Sequence, residues 1–280
     1  MSSKAIAYIL IAVFSFSLMN ICAKELSDFH AMQVVFFRAI GTFIFIFPYM
    51  LVKRIPLLGE HRKFLSMRAI LGTASLAFFF MAIQRMPLGS AISIRYIGPI
   101  MGAVIALFWL KEKISLGQWL SFIIAFSGVL VIKGFEIRIE IIGFLMILTS
   151  AFLLGAVFAL IRYLSTREHI LTIINYFMIS SLALSLIYFK EWRWPESSEW
   201  LPVISIGIFG LIGQVFMTKS FSLENASVLA PFKYMELVFA MIISYYLFGE
   251  SYTFWPLVGM GLIVFGMAAN VIFKRGSIRK

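Results

Sequence analysis

The chain has 280 residues, 61% of them hydrophobic and only 13% charged, with a mean hydropathy of +0.97. So few polar residues cannot cover a soluble globule, and the class that remains is a polytopic membrane protein. The net charge of +11 would suit nucleic acid, but the basic residues gather at alternate ends of apolar runs rather than in one stripe, which is a signature of membrane orientation.

Ten apolar runs are long enough for a hydrocarbon core of about 30 Å, which takes roughly 20 helical residues. The first, Ala5–Cys22, follows a single Lys4 and lacks a small-residue cleavage pattern, so it reads as a retained span rather than a signal peptide. Ala31–Val52 follows and carries Arg38 among Phe36, Phe37 and Phe43; Phe64–Ile83 is third. The fourth, Ala91–Leu110, holds Arg95 and Tyr96. Pro99, four residues after Arg95, leaves the Arg95 carbonyl without its helical donor and predicts a bend there.

Leu116–Ile132, Ile141–Ile161 and Ile170–Phe189 come next, the last with Asn175 and Tyr176 inside it. In Leu201–Phe221, Gly207, Gly210 and Gly213 recur every third residue with Gln214 directly after, a spacing suited to close helix packing. Ala226–Phe248 carries Pro231, Lys233, Tyr234 and Glu236, and Phe254–Phe273 closes the series. The runs are too long for barrel strands, and the links are too short to hold a soluble catalytic domain.

With both termini in the cytoplasm, fifteen basic residues, Arg68 among them, fall on the cytoplasmic side and six on the other, Lys24 among those. That bias sets the expected orientation. All six tryptophans sit at or near span ends, as an interfacial belt requires. The single Cys22 excludes an intrachain disulfide and a multi-cysteine metal site, and reads as a packing residue.

Spans four and five overlay spans nine and ten without a gap: Arg95-Tyr96, Glu112 and Gly128 against Lys233-Tyr234, Glu250 and Gly266. Upstream, Gly72, Leu88 and Ala91 match Gly207, Leu223 and Ala226, with three extra residues before Lys233. Two copies of five spans must run in opposite directions, because an odd number of crossings starts the second copy on the other face. Such inverted repeats place a transporter's substrate site near the midplane between the halves. Glu112 and Glu250 each precede a helix start and read as caps rather than as site residues.

A charge at bilayer depth costs roughly 2.5 to 3.5 kcal/mol on insertion scales, so Arg38, Arg95, Lys233 and Glu236 are functional candidates. Lys233 and Glu236, three apart, share a helix face where each can neutralise the other. Arg95 and Lys233 lie about seven residues, or roughly 10 Å, from a span end, within reach of snorkelling. Three positive groups against one carboxylate would suit an organic anion or zwitterion, with Tyr96, Tyr234 and phenylalanines covering its flat part.

No phosphate-binding loop, metal-ligand cluster or nucleophile-base set is visible, so neither ATP-driven transport nor an enzyme is expected, and no cofactor is implied. The expected partners are a small-molecule metabolite and the lipid bilayer, without nucleic acid, and a homodimer is compatible with the sequence. A non-transporting membrane scaffold, its charges merely joining helices, is the alternative.

Arg38, the stretch from Pro99 to Glu112 with Gly128, and above all Ala230-Pro231-Phe232-Lys233-Tyr234-Met235-Glu236-Leu237 through Phe248-Gly249-Glu250 resemble the EamA-type branch of the drug/metabolite transporter superfamily. The resemblance covers essentially the whole chain. It implies an all-α, ten-helix fold of two inverted EamA repeats, residues 1–135 and 136–280, and a central cavity lined by helices three, four, eight and nine. The span-nine run is similar to that of S-adenosylmethionine transporters, which makes that compound or an amino-acid-like solute a candidate. The site expected from these readings is Arg38, Arg95, Tyr96, Lys233, Tyr234 and Glu236, in a secondary transporter of the cytoplasmic membrane that works by alternating access.

Overall fold

The computed structural model describes residues 3–109, 116–136, 139–164, 167–223, 232–233 and 235–278, and the regular structure among these described residues is all helical, with no strand. The α-helices are α1 (Ser3–Glu25), α2 (Ala31–Val52), α3 (Arg62–Ile83), α4 (Leu88–Arg95), α5 (Gly98–Trp109), α6 (Leu116–Phe135), α7 (Ile141–Leu164), α8 (Ile170–Leu186), α9 (Trp200–Leu223), α10 (Met235–Phe248) and α11 (Phe254–Ile278). Since α4 and α5 are two pieces of one span, the chain makes ten crossings. Among the described residues, six helices are each long and apolar enough to cross a membrane on their own. Ile44, Phe45, Ile123, Leu130, Phe152 and Ile204 lie exposed on the outside, as lipid-facing residues do.

Two spans depart from a single continuous helix. The fourth breaks at Tyr96 and Ile97, where Tyr96 N–H is shared between Ile92 O (3.2 Å) and Ser93 O (3.1 Å) and Ile97 N–H reaches Ile94 O (3.1 Å). Proline at 99 has no N–H to offer the Arg95 carbonyl, so a regular turn cannot pass this point. The seventh stops at Leu186 instead of Phe189, because its last turn tightens to bonds such as Tyr188 N–H to Ser185 O (3.1 Å) and continues as a short 3-10 turn over Phe189–Glu191. Pro231 and Glu112 lie outside the described residues.

The packing is reciprocal. α1 lies on α9 and α10, and its repeat counterpart α7 lies on α3 and on α4 with α5; α2 lies on α9, as α8 lies on α3. α2 meets α8, α4 meets α10, and α6 meets α11, each pair its own counterpart. Two helix groups result, one of α1, α2, α9 and α10 and one of α3, α4, α5, α7 and α8, with the α6–α11 pair beside them. Each group draws helices from both halves of the sequence.

Small residues make these crossings possible. A Cβ on Gly41 would fall 2.6 Å from the Gly207 Cα, so α2 and α9 touch backbone to backbone. On the α6–α11 seam a Cβ on Gly128 would meet Gly259 O at 2.5 Å, and one on Gly266 would meet Ser121 O at 2.7 Å, the same crossing built twice in opposite directions. Gly155 of α7 meets Gly98 and Gly102 of α5 in this way, whereas in the other half Ser17 of α1 faces Glu236 of α10.

A candidate substrate site between the two helix groups

Glu236 stands in the first turn of α10, and groups from both halves converge on it. Asn20 of α1 donates its amide to Oε1 at 3.0 Å, and the Ser17 hydroxyl donates to the Glu236 carbonyl at 3.0 Å. The Tyr96 hydroxyl, at the corner between α4 and α5, lies 2.8 Å from the Lys233 carbonyl and 3.4 Å from Glu236 Oε2. One hydroxyl proton serves the nearer acceptor, so Oε2 is left with a long, weak contact and keeps its capacity to accept.

Lys233 and Glu236 do not pair. No ion-pair contact joins them; the Lys233 ammonium sits 5.6 Å from the Phe158 ring of α7, while the carboxylate turns to Asn20 and Tyr96. The two charges stay within electrostatic reach of each other, and their direct contacts are with other helices. Arg95 stacks on Phe79 of α3 at 4.1 Å, its Nε buried and without a hydrogen bond. Arg95, Lys233 and Glu236 are each partly rather than fully buried.

Arg38 sits across from this cluster, within electrostatic reach of Arg95. Its guanidinium carbon is 5.3 Å from the Phe177 ring of α8, and its Nε contacts the Met19 sulfur at 3.3 Å. The same ring carries Arg68 at 4.5 Å. Arg68 is buried, with Nε and one terminal nitrogen unpaired, and therefore does not belong to the cytoplasmic edge where charge counting puts it. Counting it with Arg62 and Lys63 conceals that it lies well inside α3. A cation over a ring gains about 0.5–2 kcal/mol, whereas desolvating an ion costs several, so these stacks do not settle the arginines' debt.

The six expected residues are thus unequally placed. Tyr96, Lys233 and Glu236 meet directly, Arg95 lies within electrostatic reach of Glu236, Arg38 stands with Arg68, and Tyr234 lies outside the described residues. Asn20, Ser17 and Arg68 are additions that the sequence carries only as isolated polar residues. Asn175 and Tyr176 are elsewhere, holding the chain between α2 and α3 through Leu57 O (3.4 Å) and Leu58 O (2.6 Å).

Glu250 serves a different end. Its place in the sequence points to the helix after it; instead both its oxygens accept the Leu88 N–H (3.2 and 3.0 Å) at the start of α4, and it pairs with Lys24 at the end of α1. Pro87 at the head of α4 offers no side-chain acceptor, so the exposed N–H groups take a carboxylate from the other repeat. Tyr252 completes the latch, donating to Glu250 at 2.7 Å while accepting the Gly89 N–H at 3.0 Å.

At the opposite end, Glu168 between α7 and α8 accepts from the backbone N–H groups of His61 (2.5 Å) and Glu60 (2.9 Å) and contacts the His61 ring at 3.1 Å. Burial would raise its pKa, but these hydrogen bonds prevail and hold the carboxyl below its ordinary 4.5.

The sequence profile of the EamA-like transporter family matches this chain twice, over residues 3–134 and 141–272. The chain belongs to that family, within the drug/metabolite transporter superfamily. It is 30% identical to the pseudopaline exporter CntI of Pseudomonas aeruginosa, over 94% of this chain and 91% of that one. Human solute carrier family 35 member G1 is 28% identical over 94% and 77%, and the S-adenosylmethionine uptake transporter of Rickettsia conorii is 24% identical over 88% and 84%. A crystal structure superposes with a TM-score of 0.69 at 18% identity, over 98% of this chain and 99% of that one, which shows a shared fold. This EamA protein is a multi-pass membrane transporter and not an enzyme.

Proposed function

We propose that this transporter carries a small organic anion or zwitterion across the cytoplasmic membrane, with both termini in the cytoplasm, by alternately exposing a site that lies between its two helix groups. The observation that carries this reading is Glu236, a carboxylate reached by Asn20 and Tyr96 from the other half of the chain yet left with an acceptor to spare. A substrate ammonium or other cationic group binds there, and its carboxylate faces Arg95 and Lys233, with Arg38 beyond and Tyr234 as a further contact. An amino-acid-like solute or S-adenosylmethionine has that charge pattern. The relatives include one named for export and one named for uptake, so the direction of transport follows from the gradients imposed.

The first test compares metabolites inside and outside cells with and without the protein, then follows the responding solute into proteoliposomes. Glu236→Gln and Lys233→Ala are expected to lower its transport at least tenfold while leaving the amount of inserted, monodisperse protein unchanged. Wild-type transport by both variants would remove this cluster from the mechanism.

A further inference from the structure

Arg38 and Arg68 place two guanidinium groups over one phenylalanine ring, at 5.3 and 4.5 Å, and no carboxylate among the described residues is in ion-pair contact with either. Both side chains are more than nine-tenths buried, and together they leave Arg38 Nη1, Arg68 Nε and Arg68 Nη1 without hydrogen bonds. Each of these idle N–H groups belongs to a delocalised cation, a donor type that makes strong charge-assisted bonds to carboxylate and phosphate oxygens. Glycines let α3 and α9 come close to the pair: a Cβ on Gly72 would stand 3.3 Å from the Phe177 ring and 3.6 Å from Arg68 Nη1, and one on Gly210 would stand 3.4 Å from Arg38 Cγ and 3.7 Å from its Nε. Snorkelling does not account for Arg68, whose head lies over the Phe177 ring in the interior rather than at a helix end. Two like charges against one ring repel, and a bound anion is what removes both the repulsion and the unspent donors.

We propose that Arg38 and Arg68 form an anion subsite, separate from the Glu236 cluster, that receives a second carboxylate or a phosphate group of the transported solute. The proposal rests on the reading of the Glu236 cluster as a substrate site and extends it. The solute then carries at least two anionic groups, one at Arg95 and Lys233 and one at Arg38 and Arg68, in addition to whatever meets Glu236, which favours an amino-acid-like solute with a second acidic group over S-adenosylmethionine and its single carboxylate. Arg68 is a binding residue in this scheme, and Phe177 is the positioning residue that holds both guanidinium groups at one level.

The test needs no knowledge of the natural solute. The only cysteine, Cys22, is removed as Cys22→Ala, and Gly72→Cys, whose Cβ would stand 3.6 Å from Arg68 Nη1, is introduced in full-length protein in lipid nanodiscs so that both arginines remain. The thiol is treated with a methanethiosulfonate reagent bearing a sulfonate and, separately, with one bearing a trimethylammonium group. The anionic reagent is expected to react at least tenfold faster, drawn by Arg38 and Arg68. Malonate or inorganic phosphate should slow the reaction at least fivefold, and whichever protects better identifies the group as carboxylate or phosphate. Equal rates for the two reagents, absence of reaction, or protection by neither anion overturns the subsite. Gly210→Cys, whose Cβ would stand 3.7 Å from Arg38 Nε, provides the same measurement should Gly72→Cys fail to fold. If Glu236→Gln transports normally while this labelling stays anion-selective and protected, the fault lies with the role given to Glu236 and the anion subsite stands.

Discussion

The latch around Lys24 and Glu250 and the stack of Arg38 and Arg68 both bury charge between the two helix groups, yet their bonds are spent in opposite ways. Each Glu250 oxygen has partners, Lys24 also reaches the Met86 carbonyl at 3.1 Å, and Tyr252 both donates and accepts. Arg38 and Arg68 have an aromatic ring, one sulfur and several idle N–H groups. Burial of a charge therefore does not mark a binding site by itself. A saturated charge network holds helices together, whereas an unsaturated one has donors left for the anion proposed above.

Four substitutions probe that difference. Glu250→Ala strands the Lys24 ammonium and the Leu88 N–H, which should cost about 3–5 kcal/mol and give the largest fall of the four in the unfolding temperature of detergent-solubilised protein. Arg68→Met should act in the opposite direction, gaining about 1–4 kcal/mol in the same assay because a charge without a counterion is replaced by a flexible apolar chain. A fall in stability for Arg68→Met would make the two regions alike and break the contrast.

Glu168, in the link between α7 and α8, supplies a third case. Its pKa is lowered on folding, so its stabilising contribution is complete above the ordinary glutamate value of 4.5 and is lost as pH falls through the lower, folded value. The stability difference between wild type and Glu168→Gln should accordingly be flat above pH 4.5 and shrink below it, as measured by unfolding temperature across a pH series. Tyr96→Phe is expected to be the mildest, about 0.6 kcal/mol for one interhelical hydrogen bond, while its effect on transport reports how far the Lys233 carbonyl depends on that hydroxyl.

The ten crossings were legible in the sequence because apolar runs of about 20 residues have few other uses. The break in the fourth followed from proline chemistry at one position, and the helical spacing of Gly207, Gly210 and Gly213 foretold the close approach of α9 to its neighbours. Side-chain partners were less legible. Spacing puts Lys233 and Glu236 on one face, but Phe158, Asn20 and Tyr96, which draw them apart, come from α7, from α1 and from the turn between α4 and α5. Glu250 reads locally as a cap for the next helix, and nothing local indicates that Leu88, 162 residues away in sequence, is the group it serves. Arg68 was lost to its neighbours Arg62 and Lys63, since a sequence shows where a helix begins more poorly than that it exists.

The reciprocal packing carries a consequence for where this molecule came from. The sequence divides into two copies, but the most extensive helix contacts, α1 with α9, α3 with α7 and α6 with α11, run from one copy to the other, and no copy wraps around a core of its own. A single ancestral five-helix unit of this design would have had to meet a second one inserted upside down before either could bury its glycine seams. The sequence's two halves and the two helix groups are therefore different partitions of the same chain, and the alternating access proposed above would divide the molecule between the helix groups rather than between the repeats.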